Sequence, residues 1–142
     1  MKKLIVGLAA ITSTGAVAQS EAALWDRYST MNCLGVYEYA CEDSEALCEF
    51  RNVDFAINLN FETMETVRSF TVKEGKMHTV RQPILATEKW PKEGKSFMEH
   101  VYVGGGSVIE FDMTSLGDGT VDGWIGDGIM LAPKQIGLKC TV

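Results

Sequence analysis

Val53-Asp54-Phe55-Ala56-Ile57-Asn58-Leu59-Asn60-Phe61 is the stretch on which the fold turns. Its large apolar residues Val53, Phe55, Ile57, Leu59 and Phe61 alternate strictly with Asp54, Ala56, Asn58 and Asn60. A strand sends successive side chains to opposite faces, so this order builds one apolar face and one polar face. A helix would scatter the same residues around its circumference. The default places the apolar face against a core. The reverse, with Asn58 and Asn60 lining a ligand cavity, is the arrangement of a hollow barrel.

Similar short runs lie on both sides. Residues 36–41, VYEYAC, put Tyr37, Tyr39 and Cys41 on one side, and CEDSEALC then reads as a polar loop. Residues 66–73 and 76–82 read as two strands joined by a turn at Glu74-Gly75, where glycine accepts a positive φ. Pro83 is expected to stop that ladder because it has no N–H to donate. Residues 84–96, with Trp90-Pro91 and Glu93-Gly94, then form a longer loop. Residues 97–103 and 107–113 flank a turn at Gly104-Gly105-Gly106. The Gly- and Asp-rich residues 117–128 read as turns around one short strand, and residues 128–132 and 135–141 complete the set. Short strands at hairpin spacing predict an all-β fold, a small antiparallel barrel or sandwich of about eight strands. Residues 20–31, SEAALWDRYSTM, predict a short N-terminal helix or an extended lead-in.

The N-terminus reads as an export leader. Lys2 and Lys3 precede the apolar run Leu4 to Ile11, and Ala16-Val17-Ala18 supplies a small-residue cleavage site. The run is shorter than the ~20 apolar residues a membrane span needs. The expected division is a signal peptide over 1–18, a lead-in over 19–33 and a single β domain over 34–142. The mature protein would be periplasmic or secreted, with no transmembrane anchor.

An exported small domain with an even number of cysteines reads as a disulfide framework. Cys33, Cys41, Cys48 and Cys140 allow three pairings. The favoured one closes a short loop with Cys41–Cys48 and ties the two ends of the domain with Cys33–Cys140. No cysteine pair has the close spacing of a zinc or redox motif.

Charge narrows the partners. The chain carries a net −6, and loss of Lys2 and Lys3 with the leader takes it to −8. No Lys/Arg cluster exists to neutralise phosphates, so nucleic acid is an unsuitable partner. An acidic surface favours solubility, or a basic partner such as a cationic enzyme or peptide.

Three candidate chemical sites stand out. Asp118, Thr120 and Asp122, with Gly123 and Ile125 after them, overlap the spacing of a calcium loop, and Asp127 adds a further oxygen donor. The closing bidentate glutamate of such a loop is replaced by Ile129, and plain turn chemistry explains the same residues. Met77, His78, Met98 and His100 supply ligands that suit copper(I), provided that 76–82 pairs with 97–103. Ser107 after three glycines, and Glu99 with Glu110 on neighbouring strands, are the residues from which catalysis would have to be built. No nucleophile elbow surrounds Ser107. No cofactor is expected, and enzymatic activity is not.

In size, leader, disulfides and strand count the chain resembles small exported bacterial barrels, including lipocalin-like binders and periplasmic inhibitors of host lysozyme. The resemblance is architectural and carries no residue roles. The expected function is that of a non-enzymatic binding or interaction module, with a protein or envelope component as target. The alternatives are a small-ligand carrier barrel and, after it, an enzyme or a calcium- or copper-binding protein. Trp90 and Trp124 are the expected loop-borne anchors of an interface, although Trp124 suits the plug of a barrel end better.

Overall fold

The computed structural model describes residues 22–41, 48–72, 75–91, 97–112, 120–127 and 134–142. The leader expected over 1–18 and the strand expected over 128–132 lie outside them. The strands are β1 Thr30–Cys41, β2 Cys48–Arg51, β3 Phe55–Asn60, β4 Glu65–Thr71, β5 Met77–Pro91, β6 Phe97–Val103, β7 Ser107–Asp112, β8 Thr120–Asp127 and β9 Lys134–Thr141. They form one antiparallel sheet in the order β2-β1-β3-β4-β5-β6-β7-β8-β9, and β1 also pairs with β9. That last pairing closes an eight-stranded barrel, to which β2 is added as an extra strand.

Strand β1 serves three neighbours. Residues 30–34 pair with β3 and residues 38–41 with β2, while the opposite edge runs along β9 with a register shift between Gly35 and Tyr37. Both disulfides bridge directly opposed residues of these ladders. Cys33 faces and bonds Cys140 across β1–β9, and Cys41 faces and bonds Cys48 across β1–β2. The favoured pairing is the one formed.

The alternation that opened the sequence has the default sense. Phe55, Ile57 and Leu59 are buried, while Ala56, Asn58 and Asn60 face outward. The Asn58 amide donates to the Asn32 side chain on the outer surface at 2.7 Å, so these polar residues line no interior. Facing strands add Cys33, Val101, Ile109, Phe111 and Leu138 to the core. Burying each of the Val, Ile, Leu and Phe side chains among them contributes about 1.5–3 kcal/mol.

The structure differs from the sequence expectation at several places along the chain, beginning with the N-terminal segment. The helix α1 covers only Leu24–Arg27, and the chain is already strand from Thr30, because Met31 and Cys33 alternate with exposed Thr30, Asn32 and Leu34. Part of CEDSEALC and the residues after it form β2 rather than only loop. Strand β5 runs straight through Pro83 and includes most of the segment expected to be a loop. Pro83 does so at no cost in donors because it marks a change of partner. Residues before it pair with β4 and residues after it with β6, and the Pro83 carbonyl still accepts the Gly104 N–H at 2.8 Å.

Helix α1 sits at the barrel end where β1 begins. Leu24 is fully buried within the core cluster. Its N–H donates to Glu99 Oε2 at 2.8 Å. Glu99 is itself fully buried, and its Oε1 has no hydrogen-bond partner. Burial pushes the Glu99 carboxyl above the usual carboxylate range, against the lowering effects of the Leu24 N–H and of Lys89.

Candidate binding surface

The two tryptophans named from the sequence lie in strands rather than loops, on the same outer wall. Trp90 is in β5 and is 54% exposed. Trp124 is in β8 between buried Gly123 and Ile125, so it points outward, half-buried, and does not plug a barrel end. The ladders of β5–β8 place Glu88 opposite His100, His100 opposite Glu110, and Glu110 opposite Trp124. One transverse row therefore reads Glu88, His100, Glu110, Trp124.

Hydrogen bonds fix the side chains of this wall. Trp90 Nε1–H and the Tyr102 hydroxyl both donate to Glu88 Oε2, each at 3.0 Å. The bond to Glu88 holds the Tyr102 hydroxyl above the usual phenol range. His100 Nε2 lies 2.9 Å from Glu110 Oε2, within hydrogen-bond distance. The Trp90 ring stands edge-on to His100 at 6.3 Å between centroids, and Tyr102 lies 6.4 Å from the same imidazole. Two carboxylates thus lock three aromatic rings side by side.

The row continues around the barrel. Trp124 is opposite Gly137, and Gly137 is opposite Tyr37. A Cβ at position 137 would lie 2.5 Å from the Tyr37 ring, so the glycine is what lets that ring lie flat on the sheet. Phe50 of β2, 70% exposed, packs on Tyr37 at 5.3 Å and on Tyr39 at 5.0 Å.

The other candidates are not brought together. Asp118 lies outside the described residues, and Asp122 and Asp127 belong to β8, an extended strand rather than a ligand-wrapping loop. The Met77–His78 and Met98–His100 pairs part company because residues 77–83 pair with β4 and only residues 84–91 with β6. His78 instead stacks on Phe70 at 6.1 Å. Among the described residues, no three His, Cys, Asp or Glu side chains gather as a metal site requires. Glu99 and Glu110 point to opposite faces of the wall, since Glu99 is opposite inward-facing Phe111 and Glu110 opposite His100. Ser107 is buried on the inner side of β7, out of line with outward-facing His100.

No family model, curated protein or solved structure matches the chain. What the wall does must be judged from its own residues. Glu88 and Tyr102 were not singled out from the sequence. The alternation of Ala86, Glu88 and Trp90 with Leu85, Thr87 and Lys89 is the signal that would have found them, once residues 84–91 are read as strand. Aromatic faces beside carboxylates attract guanidinium and ammonium groups, and a tryptophan held rigid by its neighbours suits the centre of an interface.

Proposed function

We propose that this chain is exported and acts as a non-enzymatic interaction module, binding a basic protein or peptide through the outer wall of β5–β8. The observation that carries the reading is the cluster of Trp90, His100 and Tyr102 held against Glu88 and Glu110 on a strand face. A solvated wall of a small barrel needs no such ordering. Rings fixed before binding lose little freedom on contact, and the carboxylates between them select cationic side chains. The leader-like first 18 residues, the two disulfides and the acidic composition support an oxidising, extracytoplasmic setting. No described helix is long and apolar enough to cross a membrane.

The test is binding of an arginine-rich peptide and of its glutamate counterpart to the mature, oxidised protein, followed by fluorescence anisotropy. The arginine peptide should bind, weaken with added salt, and lose about tenfold or more in affinity to Trp90→Ala. Equal binding of the two peptides, or a Trp90→Ala variant that binds as well as the parent, would remove the wall as the binding face.

A further inference from the structure

The barrel end where β1 begins is filled by a segment that belongs to no ladder of the sheet. Leu24 of α1 is fully buried in the core and Ala23 is buried beside it, with Trp25 and Tyr28 packed against the core. The chain joins the sheet just after this, where the Phe61 N–H donates to the Ser29 carbonyl at 2.8 Å. Upstream of that bond, α1 meets the barrel through this packing and through the Leu24 N–H, which donates to Glu99 Oε2 at 2.8 Å.

Glu99 sets the terms of that contact. It lies on the inner face of β6, opposite buried Phe111, and is fully buried. Its Oε1 is buried as well and has no hydrogen-bond partner among the described residues. A neutral carboxyl bears that arrangement at far lower cost than a carboxylate does. The charged groups that face it come from two elements. Lys89 of β5 stands opposite it in the ladder, and Asp26 and Arg27 belong to α1. From β7 it meets only the uncharged Phe111. Lost hydration raises the carboxyl above its usual range, although the Leu24 N–H, Lys89 and Arg27 favour the charged form, and Asp26 adds to the rise. Glutamine would accept the same N–H with no charge to bury. What glutamate adds is a group whose charge depends on pH.

We propose that α1 is a pH-released plug, seated in the barrel end while Glu99 is protonated and lifted from it as Glu99 ionises. A carboxylate regains hydration once α1 leaves, whereas the neutral group gains little, so ionisation favours the open end. The seated form is therefore favoured in acid and loses ground as pH rises through the titration of the buried carboxyl. Lifting α1 breaks no ladder of the barrel. It exposes Leu24 and the core beneath it, so an apolar end is covered in acid and uncovered toward neutral pH. The device stands whether or not the outer wall binds a protein.

Amide exchange of the oxidised protein tests this, followed by NMR from about pH 4 to about pH 8, with each rate divided by the intrinsic rate at that pH. The N–H groups of Leu24, Asp26 and Tyr28 are bonded in the seated form, and so short a helix does not persist off the barrel. Their protection should fall by about tenfold as Glu99 ionises. It should also lie about tenfold or more below that of the best-protected amides of β3 and β7, because the plug opens without the barrel. Glu99→Gln should abolish the fall. Three results would each overturn the proposal: protection at α1 that does not change with pH, protection there equal to that of β3 and β7, or the same fall in Glu99→Gln. If that variant does not fold, the carboxyl carbon signal of Glu99 in the parent decides. The fall should level off where that signal finishes titrating, and a fall that continues past it assigns the effect to another group and ends the proposal.

Discussion

The two ends of the barrel are built from the same strands and finished in opposite ways. At the end where β1 begins, Leu24 enters the core and its N–H bonds Glu99. At the other end, Phe70, Ile136 and Arg68 line a cavity of about 370 Å³. Both ends obey the same inward and outward alternation. Among the described residues, a segment from outside the sheet enters the core only at the end where β1 begins. Short barrels of this strand number have an interior just wide enough for side chains to fill, so Leu24, with Ala23 beside it and Trp25 and Tyr28 packed against the core, fills the end where β1 begins.

Each end also has its own disulfide, and these give the largest expected contrast. Cys33–Cys140 spans a sequence separation of 107 and Cys41–Cys48 one of 7. By loop-closure entropy, replacing Cys33 and Cys140 with Ser costs about 5 kcal/mol, and the same change at Cys41 and Cys48 about 2 kcal/mol. Urea titrations of the two double variants should show that difference. Similar losses from both would mean that the β1–β2 ribbon matters to the whole barrel and is no mere addition to it.

Leu24→Ala is next in size. It removes the plug and should cost about 2–5 kcal/mol, the usual range for a buried leucine, read again from urea midpoints. A loss well below that range would show that the end tolerates opening, and the contrast between the ends would shrink.

Glu99→Gln sharpens the same comparison through pH. A carboxyl whose folded-state pKa lies above its value of 4.5 in the open chain contributes stability that is complete below that pH and lost as pH rises through the folded-state pKa. The parent protein should therefore lose stability on that limb as pH climbs from acid toward neutral. Glu99→Gln, which keeps an oxygen to accept the Leu24 N–H, should not. Melting curves of the two proteins should draw apart with rising pH, the glutamine variant gaining. Parallel curves would mean that Lys89 and the Leu24 N–H offset the burial of the charge.

The regular parts of this architecture were legible from residue order. The stretch from Val53 to Phe61 announces a strand with one apolar and one polar face, and its default sense, apolar face inward, is the one observed. The even cysteine count pointed to disulfides, and the pairing favoured among the three possible is the one formed. Two things were hidden. Pro83 reads as a stop wherever its missing N–H would break a ladder, and nothing local reveals that the strand changes partner at that residue. Arg68 and Glu99 sit in runs, TVRSFTVK and FMEHVYV, where a charge looks like an ordinary solvated position. Only register, with Arg68 set against Ile57 and Glu99 against Phe111, turns them inward. The candidate wall was half legible for the same reason. Trp90 and Trp124 were visible as residues, but their common face depends on four strands keeping step.

The seam between β1 and β9 also bears on the order of events in folding. Apart from the β1–β3 step, which skips β2, every other ladder joins strands adjacent in the chain, whereas this one joins the first barrel strand to the last. Closing such a distant contact carries the greatest entropy cost, so the seam is the last ladder to zip. Once sulfur welds it, it can no longer be the first to part. Amide exchange in the oxidised protein should then begin away from both disulfides, at the β4–β5 hairpin. Replacing Cys33 and Cys140 with Ser, which leaves Cys41–Cys48 intact, should move the point of first opening to the seam itself, so that one covalent bond decides from which side the barrel unravels.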